Sequence, residues 1–284
     1  MSAKIIDGKA VAAEIRGRLT EEIKEVVSGG ARPPCLAVVL VGDDPASKVY
    51  VSHKEKGCAA VGVKSLAFRL PADTTQQTLN GKLKELAQEA DVDGILLQLP
   101  LPGHLDEKVA LDQIPAEKDV DGLSPTNQGL LVCRRPGLFS CTPLGCMELI
   151  RSTGTEISGK QAVVIGRSLL VGSPIATMLN HANATVTVVH SRTQQAEKVT
   201  AAADILVVAA GVHHMVKKDW IKPGAVVIDV GMHRIEGRLS GDVDFDGVKD
   251  VAGWITPVPG GVGPMTITML LSNCLKAYRL RQNL

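Results

Sequence analysis

A serine, a tyrosine and a lysine in one helical segment are the first residues whose types and spacing could do chemistry. Ser47, Tyr50 and Lys54 stand at i, i+3 and i+7 in the segment after Pro45. A helix places all three on one face, whereas Lys56 points elsewhere. A lysine transfers protons near neutral pH only if burial or a neighbouring cation lowers its pKa. The alternative is a solvated lysine on a helix flank.

Two further polar residues stand where a parallel sheet collects its ligands. Gln98 lies near the end of the apolar run 94–99, and Asp121 lies in the turn-forming sequence Lys-Asp-Val-Asp-Gly at 118–122. Ligands of parallel sheets bind beyond the carboxyl ends of the strands. We therefore expect Gln98 and Asp121 to complete a site with Lys54. Asp121 would alternatively be a turn former only.

A glycine-rich turn predicts a phosphate-binding site later in the chain. Residues 161–166 have the pattern of a strand, and the sequence Gly-Arg-Ser-Leu-Leu-Val-Gly-Ser-Pro at 166–174 leads from it into a helix. Glycine permits close backbone approach, and free amides at a helix start attract anions. An ordinary tight turn between a strand and a helix is the alternative.

The end of the next strand indicates which dinucleotide would bind. NAD sites usually have an acid here for the ribose hydroxyls, but this strand ends His190-Ser-Arg-Thr193. Arg192, with Arg167 nearby, suits a 2′-phosphate, so the sequence favours NADP. Arg192 would otherwise be a solvated surface charge.

The segment 256–266, Thr-Pro-Val-Pro-Gly-Gly-Val-Gly-Pro-Met-Thr, contains more glycine and proline than an ordinary loop. Backbone without side chains approaches a flat ligand closely. We therefore expect this segment to contribute to a binding site.

Alternating strands and helices must position these residues, which predicts a parallel sheet. Apolar residues recur every four positions from Val11 to Val27 and indicate a helix that stops at Gly29-Gly30. The predicted strands cover residues 35–41, 63–70, 94–99, 161–166, 185–190, 205–210 and 225–230. The other predicted helices follow Pro45 or cover residues 74–90, 143–152, 174–181 and 264–280.

These elements form two series, separated by a turn-rich stretch at 118–142. We predict an α/β fold of two lobes with a cleft between them, the second lobe being Rossmann-like with a mostly parallel sheet. The predicted domains are 1–140, onto which a C-terminal helix at 264–284 could fold back, and 141–263.

Composition narrows the class of protein. Of 284 residues, 45% are hydrophobic and 21% charged, as in ordinary globular proteins. A net charge of +1 and 2% aromatic residues argue against a nucleic-acid partner. The six cysteines show no metal-like spacing and predict reduced thiols in a cytoplasmic protein. No metal site is predicted, and no apolar run is long enough to span a membrane.

Five motifs together resemble the bifunctional methylenetetrahydrofolate dehydrogenase/cyclohydrolase family. They lie at 50–56, 98–102, 118–122, 166–174 and 257–266, in the family's order, so the match covers nearly the whole chain. The resemblance implies a homodimer with a catalytic domain, a Rossmann-like NADP domain and folate in the cleft. It also implies two reactions at one site. Methylenetetrahydrofolate is oxidised by NADP to methenyltetrahydrofolate, which is then hydrolysed to 10-formyltetrahydrofolate.

The resemblance also implies roles for individual residues. Lys54 would manage the proton and water chemistry, Gln98 would orient it, Tyr50 would pack on the folate rings, and Asp121 would bind the pterin. The rest of the folate pocket would comprise Pro259, Gly260 and Gly263. The cofactor would be surrounded by Gly166, Arg167, Ser168, Ser191, Arg192, Met232 and Thr266.

Two alternatives stay open at this point. One is a dehydrogenase that keeps Tyr50 and Lys54 but hydrolyses poorly. The other is a non-catalytic dinucleotide sensor on the same scaffold, for which Lys54 and Gln98 would be dispensable. The presence of all four residues, Tyr50, Lys54, Gln98 and Asp121, argues against a sensor.

Overall fold

The chain forms two compact units in a computed structural model, which describes residues 2–282 apart from the side chain of Ala46. The first unit comprises residues 14–141 and 267–282, and the second comprises residues 2–13 and 142–266. The predicted first domain, 1–140, includes residues 2–13, whereas the structure groups these residues with 142–266 in the second unit. The predicted second domain is 141–263. The last two positions of the predicted helix 264–284 lie outside the described residues. The bounds of the functional domains therefore stay a prediction.

Helices and strands alternate along most of the described chain. Its α-helices are α1 (Gly8–Ser28), α2 (Pro45–Val61), α3 (Gln76–Gln88), α4 (Glu107–Leu111), α5 (Pro125–Val132), α6 (Cys141–Ser152), α7 (Gly172–His181), α8 (Ala196–Thr200), α9 (Phe245–Val248) and α10 (Val262–Gln282). Its strands are β1 (Lys4–Ile5), β2 (Cys35–Val41), β3 (Lys64–Leu70), β4 (Gly94–Leu97), β5 (Gln161–Ile165), β6 (Thr185–Val189), β7 (Ile205–Val208), β8 (Val226–Asp229), β9 (His233–Ile235), β10 (Arg238–Ser240) and β11 (Trp254–Ile255).

The first unit is built on a parallel sheet in the order β3-β2-β4. The central strand β2 is buried at every position, which its continuous apolar sequence predicts for a strand covered on both faces. Helix α3 contributes Leu79, Leu83 and Leu86 to the core beside this sheet. Their spacing of four and three residues places them on one helical face.

Helix α2 carries Lys54, and its sequence sets both of its ends. The side chain of Asp44 accepts a hydrogen bond from the Ser47 amide at 2.7 Å, and Pro45 occupies the first turn. Gly62 ends the helix in the left-handed conformation, with φ of 88°. The helix thereby holds its side chains in a fixed register above β2 and β3.

The second unit contains a six-stranded sheet in the order β1-β11-β8-β7-β5-β6, with every pair parallel. Strands β7 and β8 are buried throughout, and β5 is buried apart from its first residue. The predicted α/β fold with two lobes and a mostly parallel second sheet is confirmed. A separate antiparallel hairpin joins β9 and β10.

Several elements differ from the sequence prediction. Strands β1 and β11 have two residues each, too few for a periodic pattern, and they form by pairing across the sheet. The turn-rich stretch contains α5, which begins at the Ser124 cap with Pro125 in its first turn. None of the helices within residues 2–282 combines the length and hydropathy that a bilayer span requires.

Candidate functional site

A direct hydrogen bond joins the lysine and the glutamine that the sequence singled out. Lys54 Nζ donates to Gln98 Oε1 at 2.8 Å. Gln98 is only 8% exposed and follows β4, and its backbone N–H donates to the Val39 carbonyl of β2 at 2.8 Å. Its own side-chain nitrogen donates to the Leu99 carbonyl at 2.6 Å. Both the oxygen and the nitrogen of the Gln98 carboxamide are therefore hydrogen-bonded, and the carboxamide orients the Lys54 ammonium group.

Lys54 is partly buried, and burial lowers its pKa below the ordinary lysine value. The charges of Asp121 and Cys141 oppose this shift. Burial raises the pKa of Asp121, and the Lys54 ammonium opposes that shift in turn. Burial also raises the pKa of the Cys141 thiol, which lies beside Asp121. The structure thus brings Lys54, Gln98 and Asp121 together and adds the Cys141 thiol, which the sequence analysis did not assign to the site.

Asp121 lies in a turn that Lys118 and Asp119, two polar residues of the same motif, hold in place. Lys118 Nζ donates to the carbonyls of Leu86, Ala87 and Glu89, at 3.3, 2.8 and 2.7 Å, at the end of α3. A cation at a helix C-terminus satisfies carbonyls that lack helical partners. Asp119 is buried and accepts from the amides of Gly122 and Ser124 and from the Asn127 carboxamide. Two residues of the motif therefore shape the turn, which leaves Asp121 to face Lys54.

Tyr50 lies one helical turn before Lys54 on α2 and is 38% exposed. Ser47, on the predicted shared face, is buried instead. Its position in the first turn of α2, beneath the Asp44 cap, explains the burial. A partly exposed ring beside a desolvated amine offers a surface for stacking and a group for proton transfer.

The predicted phosphate-binding turn follows β5. Gly166 has φ of 110°, and a Cβ there would collide with the Ala209 carbonyl. A Cβ at Gly172 would collide with the carbonyl of Gly166. Both positions thus require glycine, and the turn keeps β5 and α7 close together.

The amides expected to be free at the start of α7 are engaged. Ser168 Oγ accepts from the amides of Val171 and Gly172 at 3.2 and 3.4 Å, and the Ser168 carbonyl accepts from the Ser173 amide. The expectation was wrong for these amides because a serine inside the turn reaches back to them. The Arg167 side chain is exposed at this turn.

Three groups of predicted cofactor residues follow three strands of the same parallel sheet. Arg167 and Ser168 follow β5, Ser191 and Arg192 follow β6, and Met232 follows β8. All five are exposed. The carboxyl ends of parallel strands share one edge of a sheet, where α/β proteins bind dinucleotides. The structure therefore gives this edge two exposed guanidinium groups and small residues, a donor set that fits a dinucleotide with an additional phosphate.

Two buried aspartates, which sequence reasoning missed, shape the loops at this edge. Asp229 accepts from the amides of Gly231, Asp242 and Val243. Asp242 accepts from the amides of Ala210 and Gly211, at 2.7 and 2.8 Å, and from His233. Burial raises the pKa of Asp229 to about 6. No local sequence pattern distinguishes them from surface acids, because most of their partners lie 13 to 32 residues away.

The glycine- and proline-rich segment belongs to the second unit. Gly260 has φ of 107°, and Pro259 and Gly263 are exposed. Thr266 lies in α10, where its hydroxyl hydrogen-bonds to that of Thr142 at 2.9 Å. The structure thus places these residues in the same unit as the predicted cofactor residues, whereas Tyr50, Lys54, Gln98 and Asp121 are in the first unit. Within residues 2–282, no three acidic, histidine or cysteine side chains form a potential metal site.

Asn273 is a further polar residue that sequence reasoning missed. It is 3% exposed in α10 and donates to the carbonyls of Val120 and Phe139, both at 2.8 Å. The signal was present, because Met265 and Met269 precede it at intervals of four on a buried helical face. A carboxamide on an apolar face predicts a buried hydrogen bond.

Comparison with known proteins gives matches to both parts of the chain. The family model described as tetrahydrofolate dehydrogenase/cyclohydrolase, catalytic domain, matches residues 6–121. The model described as tetrahydrofolate dehydrogenase/cyclohydrolase, NAD(P)-binding domain, matches residues 140–282. A protein of Listeria innocua serovar 6a named bifunctional protein FolD is 54% identical over 277 residues, which are 97% of each chain.

Two solved structures are similar along the whole chain. A bifunctional FolD methylenetetrahydrofolate dehydrogenase/cyclohydrolase from Campylobacter jejuni has a TM-score of 0.96 at 45% identity, covering 99% of this chain and 100% of its own. The Trypanosoma brucei methylenetetrahydrofolate dehydrogenase-cyclohydrolase, solved in complex with NADP and an inhibitor, has a TM-score of 0.94 at 42% identity and full coverage of both chains. The similarity therefore extends over every segment that carries a candidate residue.

Proposed function

This chain belongs to the tetrahydrofolate dehydrogenase/cyclohydrolase family, and we propose that Lys54 performs the proton chemistry of its two reactions. The enzyme oxidises 5,10-methylenetetrahydrofolate to 5,10-methenyltetrahydrofolate with NADP and hydrolyses that product to 10-formyltetrahydrofolate. One observation carries the proposal. Lys54 Nζ lies 2.8 Å from Gln98 Oε1, where burial lowers the pKa of the amine.

Hydrolysis requires one proton to be removed and one to be delivered. Water attacks the carbon between N5 and N10 of the methenyl cation, and the Lys54 amine accepts a proton from that water as the C–O bond forms. The bond between this carbon and N5 then breaks, and the resulting ammonium group donates its proton to N5. The second proton of the water leaves to solvent, so the formyl group stays on N10. One amine with a lowered pKa serves both steps.

Gln98 and Asp121 affect this amine in different ways. The Gln98 carboxamide is a neutral acceptor, so it fixes the direction of the Lys54 side chain without adding charge. The Asp121 carboxylate favours the protonated amine and keeps the burial-induced fall in pKa from going further. We infer that the pair orients the amine and that its pKa lies below the ordinary lysine value.

Folate recognition in this proposal uses the residues around Lys54. Tyr50 stacks on the folate ring system, and its partial exposure supports that role. Asp121 accepts hydrogen bonds from the pterin. We also propose that Pro259, Gly260 and Gly263, which belong to the second unit, bind folate through their backbone.

The cofactor supplies the hydride acceptor when it is bound. We propose that Gly166, Arg167, Ser168, Ser191, Arg192, Met232 and Thr266 hold it. Arg192 binds the 2′-phosphate with support from Arg167, because two exposed guanidinium groups follow β5 and β6 at one edge of the sheet. The absence of an acid after β6 supports the preference for NADP over NAD.

A coupled absorbance assay tests the function directly. Methylenetetrahydrofolate is supplied with NADP or NAD, and reduced cofactor and methenyltetrahydrofolate are followed separately. We expect NADP reduction, with methenyltetrahydrofolate that disappears as hydrolysis proceeds. Oxidation with persistent methenyltetrahydrofolate would instead identify a dehydrogenase that hydrolyses poorly, and cofactor binding without turnover would identify a sensor.

We further propose a cytoplasmic homodimer whose formyl product enters purine biosynthesis. Strand β6 supports dimerisation, because it ends the described sheet and exposes Thr187 and Val188. All six cysteines are thiols, which supports a reducing compartment. Sedimentation should give about twice the chain mass of 30.0 kDa. A single-chain mass at micromolar concentration would contradict the dimer.

A further inference from the structure

A buried carboxamide on the C-terminal helix holds the two chain segments that flank the candidate folate-binding carboxylate. We infer that Asn273 is a positioning residue for Asp121, and that its two N–H groups set where that carboxylate stands relative to Lys54. The inference rests on the proposed role of Asp121 in folate binding. Asn273 itself acts through backbone carbonyls.

The two N–H groups of Asn273 point to different segments. One donates to the carbonyl of Val120, the residue immediately before Asp121, and the other donates to the carbonyl of Phe139, both at 2.8 Å. The same nitrogen lies 3.7 Å from the sulfur of Cys141, whose thiol lies beside Asp121. One planar group thus fixes the spacing between the Asp121 segment and the Cys141 segment.

The surrounding packing gives this spacing little freedom. Gly122 has φ of 70°, and a Cβ there would collide with the Phe139 backbone, so the two segments touch directly after Asp121. A Cβ at Gly94 would collide with the side chain of Val120, which packs against β4. The turn is therefore held between β4 and the segment at 139–141, and Asn273 closes it on the side of α10.

The hydrogen bond from Asn273 to the Val120 carbonyl affects proton transfer because it positions Asp121. The Asp121 carboxylate raises the pKa of Lys54 against the effect of burial. If the Val120 carbonyl loses the Asn273 donor at 2.8 Å, it keeps only the weaker thiol donor of Cys141 at 3.3 Å, so the turn relaxes and the carboxylate moves with it. The amine then loses part of the charge that favours its protonated form, so its pKa falls further.

The test replaces Asn273 by leucine, which has a similar volume and no donors, in the full-length enzyme. Lys276→Met is the matched control, since Lys276 lies one turn along α10 and donates to the Gly137 carbonyl at 2.6 Å without reaching Val120. Asn273→Ser, which keeps one donor, is the second variant if the leucine variant does not fold. Asp121→Asn is measured in parallel.

We expect Asn273→Leu to raise the KM for the folate substrate about ten-fold, the scale of an unsatisfied buried polar group, and to leave the KM for NADP within about two-fold. The inflection of the hydrolysis pH profile that belongs to Lys54 should move to lower pH. Asn273→Ser should give an intermediate change. Lys276→Met should lower thermal stability without changing the folate KM or the pH profile.

Three outcomes would overturn the inference or its premise. Equal changes in both KM values, or an unchanged pH profile in an Asn273 variant that is less stable, would show that the residue is structural only. A shift of the pH profile in Lys276→Met would show that any loosening of α10 has the same effect. If Asp121→Asn left the folate KM unchanged, the proposed role of Asp121 would be wrong, which is a separate failure.

Discussion

Lys54→Met should abolish most hydrolysis and spare more of the oxidation. Methionine keeps an unbranched side chain of similar length but has no amine. Hydride transfer depends chiefly on bringing two reactants together, whereas hydrolysis depends on moving protons. General acid-base catalysis is worth about 10²–10⁴-fold, so the cyclohydrolase rate should fall by at least that order. The dehydrogenase rate should fall less.

The structure also gives the stability cost of this change. Without the amine, Gln98 Oε1 has lost a partner 2.8 Å away in a place where the glutamine is only 8% exposed. An unsatisfied buried acceptor costs about 1–3 kcal/mol. The variant should therefore remain folded but unfold at a lower denaturant concentration, and its rate loss is to be compared with its circular dichroism and denaturation curve.

Two absorbance measurements separate the reactions. Loss of added methenyltetrahydrofolate reports hydrolysis, and formation of NADPH from methylenetetrahydrofolate reports oxidation. The hydrolysis pH profile of the parent should contain an inflection below the ordinary lysine pKa, because burial lowers the pKa of Lys54. That inflection should vanish in the variant.

Lys56→Met is the control, since Lys56 is exposed two positions along the same helix and points away from Lys54. It should hydrolyse at the parent rate. The catalytic assignment is refuted if folded Lys54→Met hydrolyses methenyltetrahydrofolate at nearly the parent rate. Equal losses of both activities would also contradict the division of roles, because they would indicate a positioning defect.

Other substitutions test the remaining assignments. Arg192→Ala should weaken NADP binding by about 1.5–3 kcal/mol, the contribution of a charged hydrogen bond, and leave NAD binding nearly unchanged. Equal losses of affinity for both cofactors in a fluorescence titration would show that Arg192 does not bind the 2′-phosphate. Asp121→Asn should lower the affinity for folate about ten-fold or more and change the affinity for the cofactor little. If calorimetry gave the parent affinity for folate, Asp121 would be a turn former only. Asp229 has a folded pKa of about 6, above its unfolded value, so its contribution to stability is full below about pH 4 and is lost as pH rises through 6. Between those pH values, the free energy of unfolding should fall by about 2 kcal/mol relative to that of Asp229→Asn, and a difference between the two proteins that does not change with pH would contradict the raised pKa.

The buried strands and capped helices were predictable from local sequence. The run at 35–41 is apolar without interruption, which is typical of a strand covered on both faces, and it forms β2. Asp44 and Pro45 mark the start of α2, and Gly62 marks its end. Because residues four apart lie on the same face of a helix, the shared face of Tyr50 and Lys54 was also predictable.

Contacts between distant residues were not predictable in the same way. Asn273 bonds to residues 134 and 153 positions earlier, and no periodic pattern reports such a partner. Strands β1 and β11 contain two residues each and exist only because they pair with neighbours across the sheet. Lys118 and Asp119 belong to a recognised motif, but their roles at the end of α3 and within the turn required coordinates.

The discontinuity of both units has a consequence for synthesis on the ribosome. Residues 2–13 include β1, whose partner strand β11 is made about 250 residues later. The first unit likewise includes residues 267–282, which are made after every residue of the second unit. A nascent chain therefore cannot complete the second unit before residue 266 is made, or the first unit before residues 267–282 are made, although β2, β3 and β4 can associate early. A chain that stalls before β11 would leave β1 without its partner and the edge of β8 unpaired. A chain that stalls before residue 267 would expose the face that α10 covers, and chaperones and proteases recognise such surfaces.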